Sequence, residues 1–458
     1  MKFQSPPGMR DFYPADQRLQ TWLFDHWRAA SLAFGCEEYE GPIFEFLDLY
    51  TVKSGAEILT QLFHVRHGMS EDAKFAIRPE MTPTLARMIA ARANALPRPI
   101  KWFTIPRMCR AERQQRGRLR EFFQWNVDIL GVDDPLADAE VIAVAAEFFR
   151  RVGVSAEDVV IRYSHRGLAA AVVRSFGLSV EQVEPAFALI DRLDKLSSAD
   201  FAKAWSEKFG EASSPDALVE FLKTATLEQA IDRAESAGGL DAAKAGEATA
   251  VSAPPSPAPK ADAPAPLTMR ESLMRFRQHL VDLGVADYCA FDFRVIRGLA
   301  YYTGTIFEAY PRKIASRALL GGGRYDNLTE LVGGPRVPGV GFGSGDAPIL
   351  DFLRDLGKLP ETAASIDVFV IDADERFFTA AMRVASDLRR AGVNAEFSYK
   401  RQNLGKQLKQ ATSRNARKAI IVGEEFEKQG AVVVKNLADG SQSTVAWNDL
   451  RANANSLR

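Results

Sequence analysis

The sequence predicts an α/β protein: an α+β portion built on an antiparallel sheet, split by a helical insertion and followed by a small α/β domain. Three observations predict it. Residues 109–129 hold two runs of period-two alternation around a loop, the signature of a hairpin with one face buried. Between Leu240 and Leu267 the chain reads LDAAKAGEATAVSAPPSPAPKADAPAPL, where prolines alternate with residues too small to build a packed core. After Pro360 the segments DVFVI, NAEFSY, KAIIVG and AVVVKNL alternate with helical stretches, which indicates a separate α/β domain.

A chain of 458 residues exceeds what one core supports, about 250–300 residues, so several domains are expected. We read residues 1–158 as the first part of a core and 159–267 as a helical insertion ending in the Pro/Ala linker. Residues 268–360 return to the core, and 361–458 form the terminal domain. With 47% hydrophobic and 26% charged residues, the balance is that of a soluble enzyme rather than a disordered or fibrous chain. The net charge of −1 gives no overall footprint for nucleic acid, so RNA contacts would have to come from local basic patches. Cys36, Cys109 and Cys289 lack the spacing of a disulfide framework or zinc site, which fits a reducing, cytoplasmic setting. The opening MKFQSPPGMRDFYP has no apolar stretch of signal-peptide length, and no apolar run nears ~18 residues.

From Gln17 to Ala33, the residues Leu19, Trp22, Leu23, Trp27 and Ala30 recur at helical spacing. Such a stripe covers a core or a subunit interface. In AIRPEMTPTLAR, Glu80 and Thr82 place a carboxylate and a hydroxyl two residues apart, a pairing that suits an α-ammonium group and equally a helix start.

The hairpin CRAERQQRGRLREFFQWNVDIL carries the richest chemistry. In its second run Phe122, Gln124, Asn126 and Asp128 share one face, while Phe123, Trp125, Val127 and Ile129 form an apolar face toward the core. Arg110 can grip a phosphate through its planar fork, Phe122 can stack on a purine, and Gln124 with Asp128 can hydrogen-bond a polar substrate. A half-exposed hairpin also has a polar face for solvation alone. The same ambiguity holds for the basic run Lys400, Arg401, Lys406, Lys409, Arg414, Arg417 and Lys418, which suits RNA or a solvated helix.

The order R-x-E-R, a loop with Gln and Gly-Arg, then R-E-F-x-Q ending in a carboxylate resembles motif 2 of class II histidyl-tRNA synthetases. Arg78, Pro79, Glu80 and Thr82 are similar to that family's R-P-E-x-T segment, and RGLAYYTGTIFE from Arg297 resembles its R-G-L-D-Y-Y signature. The resemblance implies a class II catalytic core with an anticodon-binding domain. It implies that Arg110 and Arg297 are catalytic at the α-phosphate of ATP and that Phe122 stacks on adenine. Glu80, Met81, Thr82, Gln124, Asp128, Tyr301 and Tyr302 would bind histidine, and Arg113 and Gln115 would approach the tRNA acceptor end. ATP would be a substrate with Mg2+ on its phosphates and no fixed protein metal ligands; L-histidine and tRNA(His) would be partners, and the protein a homodimer. The expected activity is histidine–tRNA ligation. The alternative is a non-catalytic relative that regulates ATP phosphoribosyltransferase. PPGMRDFYP and GGGRYDNL match further family segments, read as turns and loops around the site.

Four positions depart from the family. Ala300 replaces an aspartate, and Asp128 replaces a glutamate. In GVGFGSGDAPIL, residues Ala347 and Pro348 stand where motif 3 has Glu and Arg, which removes a cation expected on the triphosphate. Arg118, Arg324 and Arg336 are candidate replacements.

Overall fold

The computed structural model describes residues 3–51, 60–66, 74–112, 118–193, 196–210, 215–238, 267–296, 302–314, 317–361, 366–400 and 402–458. The chain divides into two compact units, Met1–Asp11 with Gln20–Leu359, and Phe12–Leu19 with Pro360–Arg458.

The first unit contains strands β1 (Glu37–Glu38), β2 (Phe44–Phe46), β3 (Phe63–Val65), β4 (Phe75–Ile77), β5 (Ile100–Thr104), β6 (Arg107–Cys109) and β7 (Glu121–Leu130). These are followed by β8 (Val159–His165), β9 (Cys289–Phe291), β10 (Thr305–Pro311), β11 (Leu320–Arg324) and β12 (Gly339–Gly345). Among the described residues nine of them form one sheet in the order β1-β5-β7-β12-β11-β10-β8-β9, with β6 pairing β7 from off this path. It is antiparallel except at the β1–β5 and β8–β9 edges. β2, β4 and β3 form a separate small antiparallel sheet.

The alternation read in the hairpin decides which side of the large sheet is core. Trp125, Val127 and Ile129 are buried on one face of β7, where the helix Pro14–Ala33 brings Trp27 to 5.8 Å from Trp125 in a stacked arrangement. Phe148, on the helix Pro135–Arg151, meets Trp125 edge-on at 5.5 Å, and Phe342 of β12 does so at 4.8 Å. The indole of Trp125 donates to Ser31 Oγ at 2.9 Å, so its polar atom is satisfied inside this apolar layer. Losing one such buried ring costs about 3–5 kcal/mol. The helical stripe is thus core-facing at Leu23, Trp27 and Ala30.

Two readings need correction. Val159–His165 is a strand, not part of a helical insertion. It is held between β10 and β9, and its short apolar run has no helical period to distinguish it. The helices Arg166–Ser175, Val180–Ile190, Ser198–Phe209, Asp216–Thr224 and Leu227–Ser236 follow it and bury a cluster around Phe187, Trp205 and Ile231. Second, GGGRYDNL is loop only in its second half: Leu320–Arg324 is an interior strand of the sheet, paired with both β10 and β12, and residues 325–327 connect it to the next helix. Most of the Pro/Ala linker lies outside the described residues.

His165 ends β8 and caps the next helix, its Nδ1 accepting from the Leu168 amide at 3.3 Å. Burial pushes the imidazole down to about 4, with Asp138 opposing and Arg324 adding to that shift. Folding therefore favours neutral His165, whose contribution is complete above its unfolded value near ~6.5 and is lost as pH falls from there through about 4. His165→Asn keeps a capping acceptor without a charge to gain. Denaturant melts should show wild type losing about 2 kcal/mol more than His165→Asn between pH 7 and 5; parallel pH profiles would contradict the assignment.

The second unit carries β13 (Ile366–Asp372), β14 (Ala395–Phe397), β15 (Ala416–Val422), β16 (Ala431–Asn436) and β17 (Gln442–Ala446) in the order β14-β13-β15-β16-β17. β14, β13 and β15 run parallel through helical crossovers, and β16 and β17 add antiparallel strands. In the basic run, Arg414 pairs with Glu396, Arg417 lies 3.8 Å from Asp367 and Lys418 donates to Ser456 O. Lys400, Lys406 and Lys409 are exposed, and Arg401 is outside the described residues.

Candidate active site

The face of the large sheet opposite Trp125 is floored by glycine. Register puts Asp128 across from Gly341 and Asn126 across from Gly343, with Gly323 and Gly321 next in line on β11. A methyl group on Gly341 would fall 2.0 Å from Asp128 Oδ1, and one on Gly343 would fall 2.8 Å from Gln124 Nε2. Both strands therefore need glycine so that the side chains of β7 can lie across them.

Two adjoining cavities open over this floor and share Arg110, Gln124, Gly321 and Gly343 as walls. The larger, about 820 Å³, is lined by Arg110, Arg118 and Arg317, the carboxylates Glu112 and Glu308, and the Phe122 ring. The smaller, about 450 Å³, is lined by Glu80, Thr82, Asn126, Asp128, Tyr302 and Tyr325. One is rich in fixed positive charge and has an aromatic platform. The other brings two carboxylates together with hydroxyl and amide groups.

Arg110 stands where they meet. Its Nε donates to Pro79 O at 2.8 Å, and its guanidinium lies 5.4 Å from the Phe122 ring centroid. Glu112 sits between two cations, 2.7 Å from Arg118 Nε and 3.9 Å from Arg110 Nη1. The hairpin that presents them is pinned from the N-terminal segment: Gly8 O accepts from the amides of Arg120 and Glu121. Arg10 and the Phe123 amide both donate to the fully buried Asp346, at 2.6 and 3.1 Å. Burial raises the carboxyl pKa of Asp346, and Arg10 opposes that shift.

In the smaller cavity Asp128 is 5% exposed and accepts a hydrogen bond from the Tyr325 hydroxyl. A carboxylate has about four acceptor sites, so this bond is compatible with a further donor from a ligand. Tyr302 packs against Gly323, where a Cβ would meet its ring at 3.0 Å. Glu80, 4% exposed, and Thr82 enter from the start of the helix Thr82–Arg92.

Among the residues singled out from the sequence, Glu80, Thr82, Arg110, Phe122, Gln124, Asp128 and Tyr302 line these two cavities. Met81 does not: its side chain is wholly buried against Arg78 and Gly41, because the residue before the helix turns inward there. Arg78 is a brace, donating to Glu40, Gly41 O and Arg107 O. Arg297, Tyr301, Arg113 and Gln115 lie outside the described residues. Of the arginines considered as replacements at motif 3, Arg118 lines the larger cavity. Arg324 instead forms a buried pair with Asp138, and Arg336 is 3.6 Å from Asp133. The sequence assigns no role to Tyr325, Glu308 or Arg317, although GGGRYDNL contains the first and RGLAYYTGTIFE ends on the second.

Among the described residues, no group of three or more His, Cys, Asp or Glu side chains is arranged to hold a metal, and no helix is long and apolar enough to cross a membrane. The three cysteines are free; burial pushes Cys36 and Cys289 up to about 12 and also raises Cys109, which leaves them poor nucleophiles.

Comparison with known proteins identifies the family. A family profile described as histidyl-tRNA synthetase matches residues 8–345, ending where motif 3 departs, and one described as an anticodon binding domain matches residues 367–456. The chain is 35% identical to the chloroplastic/mitochondrial histidine–tRNA ligase of Arabidopsis thaliana, over 97% of this chain and 85% of that protein. It is 34% identical to the histidine–tRNA ligase of Opitutus terrae, over 98% and 97% respectively. The crystal structure of histidyl-tRNA synthetase from Nostoc sp. PCC 7120 superposes with a TM-score of 0.78 at 24% identity, covering 100% of this chain and 99% of that one. With its arginine-walled and carboxylate-lined cavities meeting at Arg110, and with full-length relatives above 30% identity, the chain belongs to the histidyl-tRNA synthetase family.

Proposed function

We propose that the protein is a histidine–tRNA ligase, which activates L-histidine with ATP to histidyl-adenylate and diphosphate and then transfers histidine to the 3′ end of tRNA(His). The observation that carries this reading is the pair of adjoining cavities of opposite chemical character that share Arg110 and Gln124. An anionic nucleotide suits the arginine-lined side, with Phe122 available to stack on the base. The α-ammonium and imidazole of histidine suit the side holding Glu80, Thr82 and Asp128.

In this arrangement Arg110 neutralises charge on the α-phosphate as the histidine carboxylate attacks it, with Arg297 as its proposed partner. Catalysis consists largely of positioning and charge stabilisation. Mg2+ on the phosphates would supply further neutralisation. Such an ion is ordinarily held by one or two carboxylates plus the phosphates, and Glu112 and Glu308 line the cavity with that donor chemistry. Gln124, Tyr301 and Tyr302 complete the proposed histidine site, while Arg113 and Gln115 are proposed to meet the acceptor end. The exposed Lys400, Lys406 and Lys409 offer the terminal domain a cationic surface for tRNA. A cytoplasmic homodimer is part of the same proposal.

Histidine-dependent ATP–pyrophosphate exchange tests the reading; histidine binding without exchange would favour a regulatory protein instead. Asp128→Asn sharpens the test. It preserves shape but replaces an acceptor-only carboxylate by an amide, so a bound imidazolium or imidazole N–H loses its charged acceptor. We expect KM for histidine to rise by about 10²-fold with KM for ATP nearly unchanged. An equal loss in both would mean that Asp128 holds the fold rather than the amino acid.

A further inference from the structure

The larger cavity contains a cation that answers the departure at position 348. β11 and β12 are antiparallel neighbours with Leu320 opposite Ser344 and Gly321 opposite Gly343. Continuing this register off the end of the sheet brings position 317 level with position 347. The chain entering β11 and the chain leaving β12 therefore run side by side at the cavity wall. Arg317, Ala347 and Pro348 all line that cavity, along with Arg110 and Arg118. Where the first turn of the helix Asp346–Asp355 carries Ala347 and Pro348 instead of an arginine, the neighbouring strand end presents one.

The other candidates are differently placed. Arg324 is 8% exposed and held by Asp138, Asp326, Val132 O and Asp134 O, and Arg336 lines neither cavity. Arg118 lines the larger cavity with its Nε 2.7 Å from Glu112. Arg317 is exposed and lines the larger cavity but not the histidine-type pocket. A nucleotide whose α-phosphate met Arg110 would have Arg118 and Arg317 in the same cavity for its remaining phosphates. We propose that Arg317 binds the β- and γ-phosphates of ATP and the diphosphate product, replacing the cation absent from position 348. This rests on the reading of the larger cavity as a nucleotide site.

The test compares ligands that differ only in their phosphate tail. Equilibrium binding to the full-length protein is measured for a non-hydrolysable ATP analogue with Mg2+ and for AMP. Arg317→Ala should weaken the triphosphate about tenfold or more and AMP less than about twofold, the difference expected for one charge-assisted phosphate contact. Arg317→Lys should recover part of the loss as a point charge without the fork, and Arg336→Ala should match wild type for both ligands. In the exchange assay KM for pyrophosphate should rise in Arg317→Ala while KM for histidine stays constant. Equal triphosphate affinity in wild type and Arg317→Ala overturns the proposal, as does an equal loss for AMP or a wild type that binds neither nucleotide. A wild type that binds the triphosphate through Arg317 but gives no exchange defeats the ligase reading and leaves the phosphate contact standing.

Discussion

Arg110→Ala is expected to reduce the kcat of histidine-dependent ATP–pyrophosphate exchange by about 10²–10³, the usual cost of deleting one donor aimed at charge that develops in the transition state. The geometry sets the expectation. Arg110 is the arginine shared by both cavities, and the Pro79 carbonyl fixes its Nε at 2.8 Å, so the two terminal nitrogens are directed without further ordering. Glu112 lies 3.9 Å from Nη1, far enough to orient the fork without closing a tight ion pair over it. Arg110→Lys should recover little, since a point charge cannot both bond Pro79 and present a planar pair of donors. Substrate KM values should move less than kcat. Exchange within about threefold of wild type would remove Arg110 from the reaction.

The parts of this site that were legible in the sequence are those set by local periodicity. Alternation of period two assigned Gln124, Asn126 and Asp128 to one face and Trp125, Val127 and Ile129 to the other, because β-strand geometry leaves no other choice once one face is buried. What escaped was set by register between distant strands. Tyr325 lies nearly two hundred positions from Asp128 in the chain, and its hydroxyl reaches that carboxylate only because β11, β12 and β7 pair in one register. Arg317 and Glu308 reach the cavity for the same reason. The glycine-rich start of GGGRYDNL reads as turn and loop because glycine has low strand propensity. Here its value is the absence of a side chain: a Cβ on Gly322 would fall 2.3 Å from the Gly341 carbonyl. Val159–His165 was assigned to the insertion because seven residues without helical period carry too little signal against the long helical stretches that follow.

Arg324→Ala is expected to destabilise the first unit by about 3–5 kcal/mol, the penalty for stranding one partner of a buried ion pair. Asp138, the partner, is 1% exposed, and Arg324 donates to it from both Nε and Nη2 while its other nitrogen bonds Val132 O and Asp326. Burial works against the charge on Arg324, yet Asp138 and Asp326 more than offset it, so its pKa is raised. The pair ties the end of β11 to the first turn of the helix Pro135–Arg151, whose Phe148 packs on Trp125 beneath the glycine floor. Its loss should therefore appear in denaturant melts before it appears in nucleotide affinity. At a temperature where the variant remains folded, KM for ATP should lie within about threefold of wild type, because Arg324 faces the helix rather than the cavity. Asp138→Asn should cost less than Arg324→Ala, since the amide still accepts hydrogen bonds and leaves the guanidinium partly satisfied. The Arg324→Ala and Asp138→Ala effects should be strongly non-additive when combined, since removing both charges leaves neither stranded. A selective rise in KM for ATP with unchanged stability would instead place Arg324 on the triphosphate.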